Sequence, residues 1–274
     1  MLFRSSDVKT EKQSDWSCAI KSITENDPVL EQMLHHKSIR AYTDEPVSDA
    51  DLRAIIEAIQ HGPNWCNFQH VSIVSVSDPI KRKKAYELCG SQEHVREAPV
   101  FWMFCADFYR TWIACDCSEE EFDRVTRVAD NIIVGTTEVG IALGSATIAA
   151  ESLGLGTCCI GSAREQGPEM VELLGLPRYV FPVCGFCIGH PAADPDMKPR
   201  LPQETIFFEN SYDADLRALI HEYDVDYHTY LATRSSNCKD GSWTQEVADY
   251  YTIPYLRYGK IPKMLYDQGF AEIE

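Results

Sequence analysis

At 274 residues and 45% apolar composition, the chain can bury a substantial core, as one large domain or two small ones. Its 25 Lys and Arg stand against 42 Asp and Glu, and the formal charge of −17 argues against nonspecific binding to nucleic acid or to an anionic membrane. A phosphate ligand would have to be met by basic residues gathered locally against that background.

Residues 1–24 are polar and aperiodic, which predicts a mobile arm, with residues 25–274 forming a single domain. The arm has no apolar run of signal-peptide length and carries Asp7, Glu11 and Asp15, so a cytoplasmic protein is expected. Asn26-Asp27-Pro28 supplies a cap and a proline at the first helical position, and Val29, Leu30, Met33 and Leu34 line one face of a helix ending near His35. Ser48, with Asp51 three residues on, caps a second helix. Leu52, Ile55, Ile56 and Ile59 give its apolar stripe, and Gly62-Pro63 ends it.

Residues 61–70, HGPNWCNFQH, therefore run from a helix end into a loop. The intervals between His61, Cys66 and His70 match no common zinc pattern, and no metal is expected. A Cys66 nucleophile with His70 as its base would be separated by about 13 Å in an extended segment, so only a tight turn would join them.

HVSIVSVSD predicts a strand, Pro79 to Cys89 a basic helix, and PVFWMFCAD a strand apolar on both faces. From about Glu119 to Ser152 the pattern predicts one long helix, polar at first and then almost wholly buried. Gly135, Gly140 and Gly144 would let another helix approach it, within the subunit or across a dimer interface. Its most apolar run, Val139 to Ala150, is flanked by Glu138 and Glu151 and is too short to span a bilayer. TCCIG reads as a short strand, PEMVELLG as a helix and VFPVCGFCIGH as a buried strand. Two helical stretches follow KPRLP, Asp213 to Ala232 and Trp243 to Tyr251. The sum is one α+β domain, a central, mostly antiparallel sheet wrapped by helices, with a C-terminal excursion.

Eleven cysteines, an odd number, are expected to remain thiols in a reducing compartment. Cys184 and Cys187 form CGFC, which resembles a redox pair, but that motif belongs at the start of a helix and here lies in an apolar strand, so structural thiols are expected. Cys115 with Cys117 and Cys158 with Cys159 lack the C-x2-C spacing of a zinc knuckle.

Two basic clusters stand out: His36, Lys37, Ser38 and Arg40 after the first helix, and Lys198 and Arg200 in DMKPRLP. A dianionic phosphate needs convergent donors, and an Arg fork with Lys and hydroxyl groups suits it. No G-x-G-x-x-G follows a strand and no Walker A sequence is present, so neither a Rossmann nor a P-loop site is supported. GLGTCCIGS, at 154–162, reads first as a tight helix-to-strand connection.

In order, HKSIRAYTDEPVSDADLRAIIEAI, GSQEHVREAPVFWMFCADFYR, ATIAAESLGLGTCCIG, IGHPAADPDMKPRLP and ATRSSN resemble the oxygen-insensitive nitroreductase and NADPH-flavin reductase branch of the nitroreductase superfamily, from about residue 27 onward. The resemblance implies a homodimer with FMN at the subunit interface and NADPH as hydride donor. It implies ping-pong turnover with no catalytic side chain, the chemistry lying at flavin N5. By position, His36, Lys37, Ser38 and Arg40 match the family's first phosphate-binding motif, Lys198 and Arg200 its second, and Gln92 its flavin-contacting glutamine. Cys159, Ile160, Gly161 and Ser162 fall where the backbone approaches the ring and where relatives more often carry Tyr-Ile-Gly-Gly.

Asn64 and Asn67 are expected to contact the flavin, and Trp65 and Cys66, departures from a serine run, to bear on the acceptor pocket. Arg234 and Lys239 match positions used for the NADPH 2′-phosphate. Asp240 stands where a further basic residue is common, so NADPH and NADH both stay open as donors. The implied function is FMN-dependent NAD(P)H reduction of nitroaromatics, quinones or free flavin. The alternatives are a flavin-binding sensor or storage protein and, on CGFC, a thiol-disulfide oxidoreductase. The expected partners are a second copy of the chain and a small-molecule acceptor, with neither nucleic acid nor membrane.

Overall fold

A computed structural model describes residues 27–252 and 255–271; the expected arm, 1–24, lies outside them. The chain divides between His36 and Lys37 into two compact units. In the first, helix α1 (Pro28–Leu34) begins as expected, with the Asp27 carboxylate accepting the N–H groups of Val29 and Leu30 and proline in the first turn.

The second unit is built on four antiparallel strands, β1 (Val71–Ser75), β2 (Val100–Asp107), β3 (Gly156–Ile160) and β4 (Val180–Gly189), in the order β1-β2-β4-β3. Helix α2 (Asp49–Gln60) precedes β1, capped by Ser48, whose hydroxyl accepts the Asp51 N–H. Helices α3 (Pro79–Leu88) and α4 (Glu93–Glu97) join β1 to β2. Between β2 and β3 come α5 (Tyr109–Cys115), α6 (Glu119–Thr126) and α7 (Asp130–Ser152); α8 (Gly167–Leu174) leads to β4. Helices α9 (Arg217–Thr233), α10 (Trp243–Thr252) and α11 (Ile261–Asp267) form the C-terminal excursion.

Every residue of β2 is buried because both faces of the sheet are covered, as its unbroken apolar sequence demands. Trp102, Phe104 and Ala106 point into a core with Ile55 of α2 and Val139, Ala142 and Ala146 of α7. Phe101, Met103 and Cys105 point the other way, against Ala85 and Leu88 of α3, Val95 of α4 and Met170 of α8. The glycine of CGFC has a packing cause: a Cβ at Gly185 would stand 2.7 Å from the Phe101 ring.

Residues 119–152 depart from the single long helix that periodicity predicts. The helix stops at Thr126 and restarts at Asp130. Residues after α11 intervene: Thr126 donates its hydroxyl to Gly269 O at 2.7 Å and Arg127 Nη1 donates to Phe270 O at 3.2 Å. Nor is the apolar half almost wholly buried, since only Gly135, Glu138, Val139, Ala142, Ala146 and Ala150 of α7 are. Among the described residues α7 is the one helix long and apolar enough to cross a membrane, with a mean hydropathy of 1.6. Its buried stripe instead packs on the sheet and α2. Gly135 lets Phe108 and Ala106 come within 2.9 Å of where its Cβ would be, whereas Gly140 and Gly144 have nothing within 4 Å.

Candidate active site

Within the second unit, Lys37, Ser38 and Arg40 of the first cluster meet Lys198 and Arg200 of the second at the β3 edge. Residues 38–43 lie along that edge: Ile39 N–H donates to Thr157 O at 2.8 Å, Ser38 bridges Thr157, and Tyr42 bridges Pro191. Lys37 Nζ donates to Asp194 Oδ1 at 2.6 Å, which ties the first cluster to the segment carrying the second. That segment is held from the C-terminal excursion. Tyr223 of α9 donates its hydroxyl to Pro199 O at 3.0 Å, and Asp196 accepts both the N–H and the hydroxyl of Ser235 at 2.6 Å. His36 closes the first unit.

Among the described residues, Arg40, Lys198 and Arg200 have no ion pair or hydrogen bond. The Lys198 ammonium is held below the ordinary lysine value, first by desolvation and then by repulsion from Arg40 and Arg200, with Glu246 opposing. The His94 imidazole is lowered too, by burial and then by Arg40, and its Nε2 is buried without a partner. Crowded cations that make no ion pair among the described residues fit a polyanion such as the FMN phosphate.

Beside this cluster, Gln92 and residues 159–162 form a second arc. The Gln92 amide donates to Cys89 O at 3.0 Å and to Ser162 Oγ at 2.5 Å, and the buried Ser162 hydroxyl donates to Cys89 O at 2.7 Å. The Ser162 hydroxyl is thus satisfied inside the protein. The Ile160 side chain is core, so only its backbone is available, while Cys159 is exposed.

Loop 63–70 lies at the other edge of the sheet, leading into β1. Three strand spacings separate the edges, about 14 Å. Three of its non-glycine residues take left-handed backbone, Cys66 (φ 52°), Asn67 (φ 58°) and Gln69 (φ 57°), a conformation that costs on the order of 1–2 kcal/mol for most L-residues. Glu138 of α7 offsets that cost. Its buried carboxylate accepts Trp65 N–H at 3.0 Å, His70 N–H at 2.8 Å and His70 Nδ1 at 2.9 Å. His70, 1% exposed, stacks on Phe108 with centroids 4.1 Å apart. Asn64 Oδ1 accepts Gln69 N–H at 3.3 Å. Trp65 is half exposed and lines a cavity of about 1150 Å³ shared with Asn64, Asn67, Phe108 and Arg110.

Neither Glu138 nor Arg110 was singled out from sequence as a functional residue. The available signal was an acid placed just before the most apolar run of a helix.

The remaining candidates are occupied. Lys239 Nζ lies 2.5 Å from Glu246 Oε1, and Arg234 Nε donates to Asn237 O at 2.9 Å with its guanidinium over the Tyr230 ring. Cys184 and Cys187, three residues apart in β4, face opposite sides of the sheet and are both buried, which removes the dithiol reading of CGFC. Among the described residues no group of three His, Cys, Asp or Glu could hold a metal.

The model of the nitroreductase family matches residues 33–190, and that of the nitroreductase family C-terminal domain matches 198–272. The chain belongs to the nitroreductase family. Its nitroreductase relatives include the FMN reductase (NAD(P)H) of Bacillus subtilis (strain 168), 43% identical over 88% of this chain and 97% of that protein. The oxygen-insensitive NADPH nitroreductase of Salmonella typhimurium is 38% identical over 89% of this chain and 98% of its own length. Of solved structures, B. megaterium NfrA2 superposes with a TM-score of 0.84 at 42% identity, covering 90% of this chain and all of that one. The NADPH:FMN oxidoreductase of Vibrio harveyi, complexed with NAD+, gives 0.81 at 31%, covering 90% and 100%.

Proposed function

We propose that this nitroreductase-family protein is an FMN-dependent NAD(P)H oxidoreductase that reduces nitroaromatics, quinones or free flavin in two-electron steps. The observation that carries the reading is the cluster of Arg40, Lys198 and Arg200, which makes no ion pair among the described residues, beside Gln92 and the 159–162 backbone. The names of the relatives at 38–43% identity agree with it. When bound, FMN supplies hydride transfer from a nicotinamide donor to an acceptor.

The chain's own residues hold and orient. Lys37, Ser38, Arg40, Lys198 and Arg200 would bind the phosphate, and the Arg forks would fix its orientation. Gln92 and the backbone of Cys159, Ile160, Gly161 and Ser162 face the ring. Arg234 is the better candidate for an NADPH 2′-phosphate, because Lys239 is already neutralised by Glu246.

Asn64 and Asn67 stand at the opposite sheet edge, and a second copy of the chain would let the loop of one subunit meet the cluster of the other. The open Gly140 and Gly144 of α7 and the apolar, half-covered face of that helix support a homodimer joined there. In such a dimer Trp65, with Cys66 beside it, borders the acceptor. We read residues 25–274 as one FMN-binding domain and the compartment as the cytoplasm, a reading supported by the free thiols of all ten described cysteines.

The test is a visible spectrum with stopped-flow NADPH and NADH. Bound-flavin absorbance near about 450 nm should bleach on mixing with the donor and return with a nitroaromatic or quinone. A yellow protein that NADPH and NADH leave unbleached is a flavin-binding protein without turnover. One that is colourless and takes up no FMN refutes both readings.

A further inference from the structure

Loop 63–70 is gripped from two sides by groups of opposite charge. On the α7 side, the Glu138 carboxylate collects two backbone N–H groups and the His70 ring N–H. On the α5 side, Arg110 Nη2 donates to the carbonyls of Gln69 at 2.5 Å and Val71 at 2.8 Å. Its Nη1 donates to Ser72 Oγ at 2.8 Å and Asp107 Oδ2 at 3.0 Å. The acid takes the loop's donors and the guanidinium takes its acceptors, which is what a loop with three left-handed non-glycine residues needs to hold one conformation. Both charged residues also line the cavity that Trp65 enters.

We propose that Glu138 and Arg110 are positioning residues that clamp loop 63–70 and thereby set the shape of the acceptor pocket. This rests on the oxidoreductase reading, and its first readout does not. Neither side chain is required to touch flavin or acceptor; each acts through Trp65, Asn64 and Asn67. Glu138 of α7 offers its carboxylate to the loop, and its two oxygens serve three donors. An amide at the same place would present N–H groups to N–H groups.

The test compares the FMN-loaded wild type with Glu138→Gln and Arg110→Met, the second altering a side chain half open to solvent that should not endanger folding. Amide hydrogen exchange should quicken at least tenfold at Trp65 and His70 in Glu138→Gln, and along 69–71 in Arg110→Met, with β2 and β4 within twofold of wild type. Steady-state kinetics should show the acceptor KM raised about tenfold in both variants with kcat within threefold, a split that general loss of folded protein cannot produce. Unchanged loop exchange in both variants overturns the clamp, as does faster exchange with an unaltered acceptor KM. Exchange needs no turnover, so a wild type that NADPH fails to bleach would sink the oxidoreductase reading and leave the exchange result to judge the clamp.

Discussion

At the β3 edge, Arg40, Lys198 and Arg200 crowd together with no ion pair among the described residues, and desolvation, then repulsion from the two Arg, loosens the Lys198 proton. At the β1 edge, loop 63–70 has donors at Trp65 and His70 met by Glu138, and Arg110 takes its Gln69 carbonyl together with that of Val71, the first residue of β1. One region is complete only when something anionic arrives; the other is complete without it. Substitutions in the first should therefore cost ligand and spare the fold, and substitutions in the second should cost local order first.

The largest expected effect sharpens that contrast on the loop side. Glu138→Ala leaves the two buried His70 donors and the part-buried Trp65 N–H without an acceptor and should cost about 3 kcal/mol or more of stability in urea unfolding. A loss below about 1 kcal/mol would mean that the loop's donors find water instead. On the cluster side, Arg40→Ala and Lys198→Ala should each weaken FMN retention about tenfold or more, since a hydrogen bond to a charged group contributes about 1.5–3 kcal/mol. Flavin fluorescence on release reads the affinity, and Tm of the flavin-free protein should move little. Unchanged affinity in both would place the phosphate elsewhere.

A smaller effect follows from Lys198 itself. Its folded-state value lies below the ordinary lysine value, and a bound phosphate raises it again, so between the two the loaded protein binds more protons than the free one. FMN affinity should fall as pH rises through the free protein's Lys198 value. Lys198→Ala should flatten that alkaline limb in a titration of FMN affinity against pH. The smallest effect is on CGFC: Cys184→Ala with Cys187→Ala should leave the rate of flavin reduction by NADPH unchanged, because the two thiols lie on opposite faces of a buried strand.

Much of the fold was legible because its signals are local. The Ser48 cap, the proline starts of α1 and α3, and the doubly apolar β2 each announce an element within a few residues. The break at 127–129 was not, because residues 269–270, far along the chain, supply the partners that hold it. At the site, the basic residues were legible by type against an acidic background. The loop anchor was not: Glu138 looked like the flank of an apolar run, and no glycine marks the left-handed turns at Cys66, Asn67 and Gln69. Nor does any local pattern say that Asn64 and Ser162 end at opposite edges of one sheet.

That separation makes the shared site the central claim, and subunit complementation tests it most directly. One subunit carries Arg40→Ala with Lys198→Ala, and the other carries Asn64→Ala with Asn67→Ala. Each homodimer should retain FMN poorly. If the cluster of one copy and the loop of the other enclose the same flavin, the mixed dimer regains one intact site of two and binds FMN at about half the wild-type stoichiometry. Mixed dimers that bind no more FMN than their parents would show that each site lies within a single subunit.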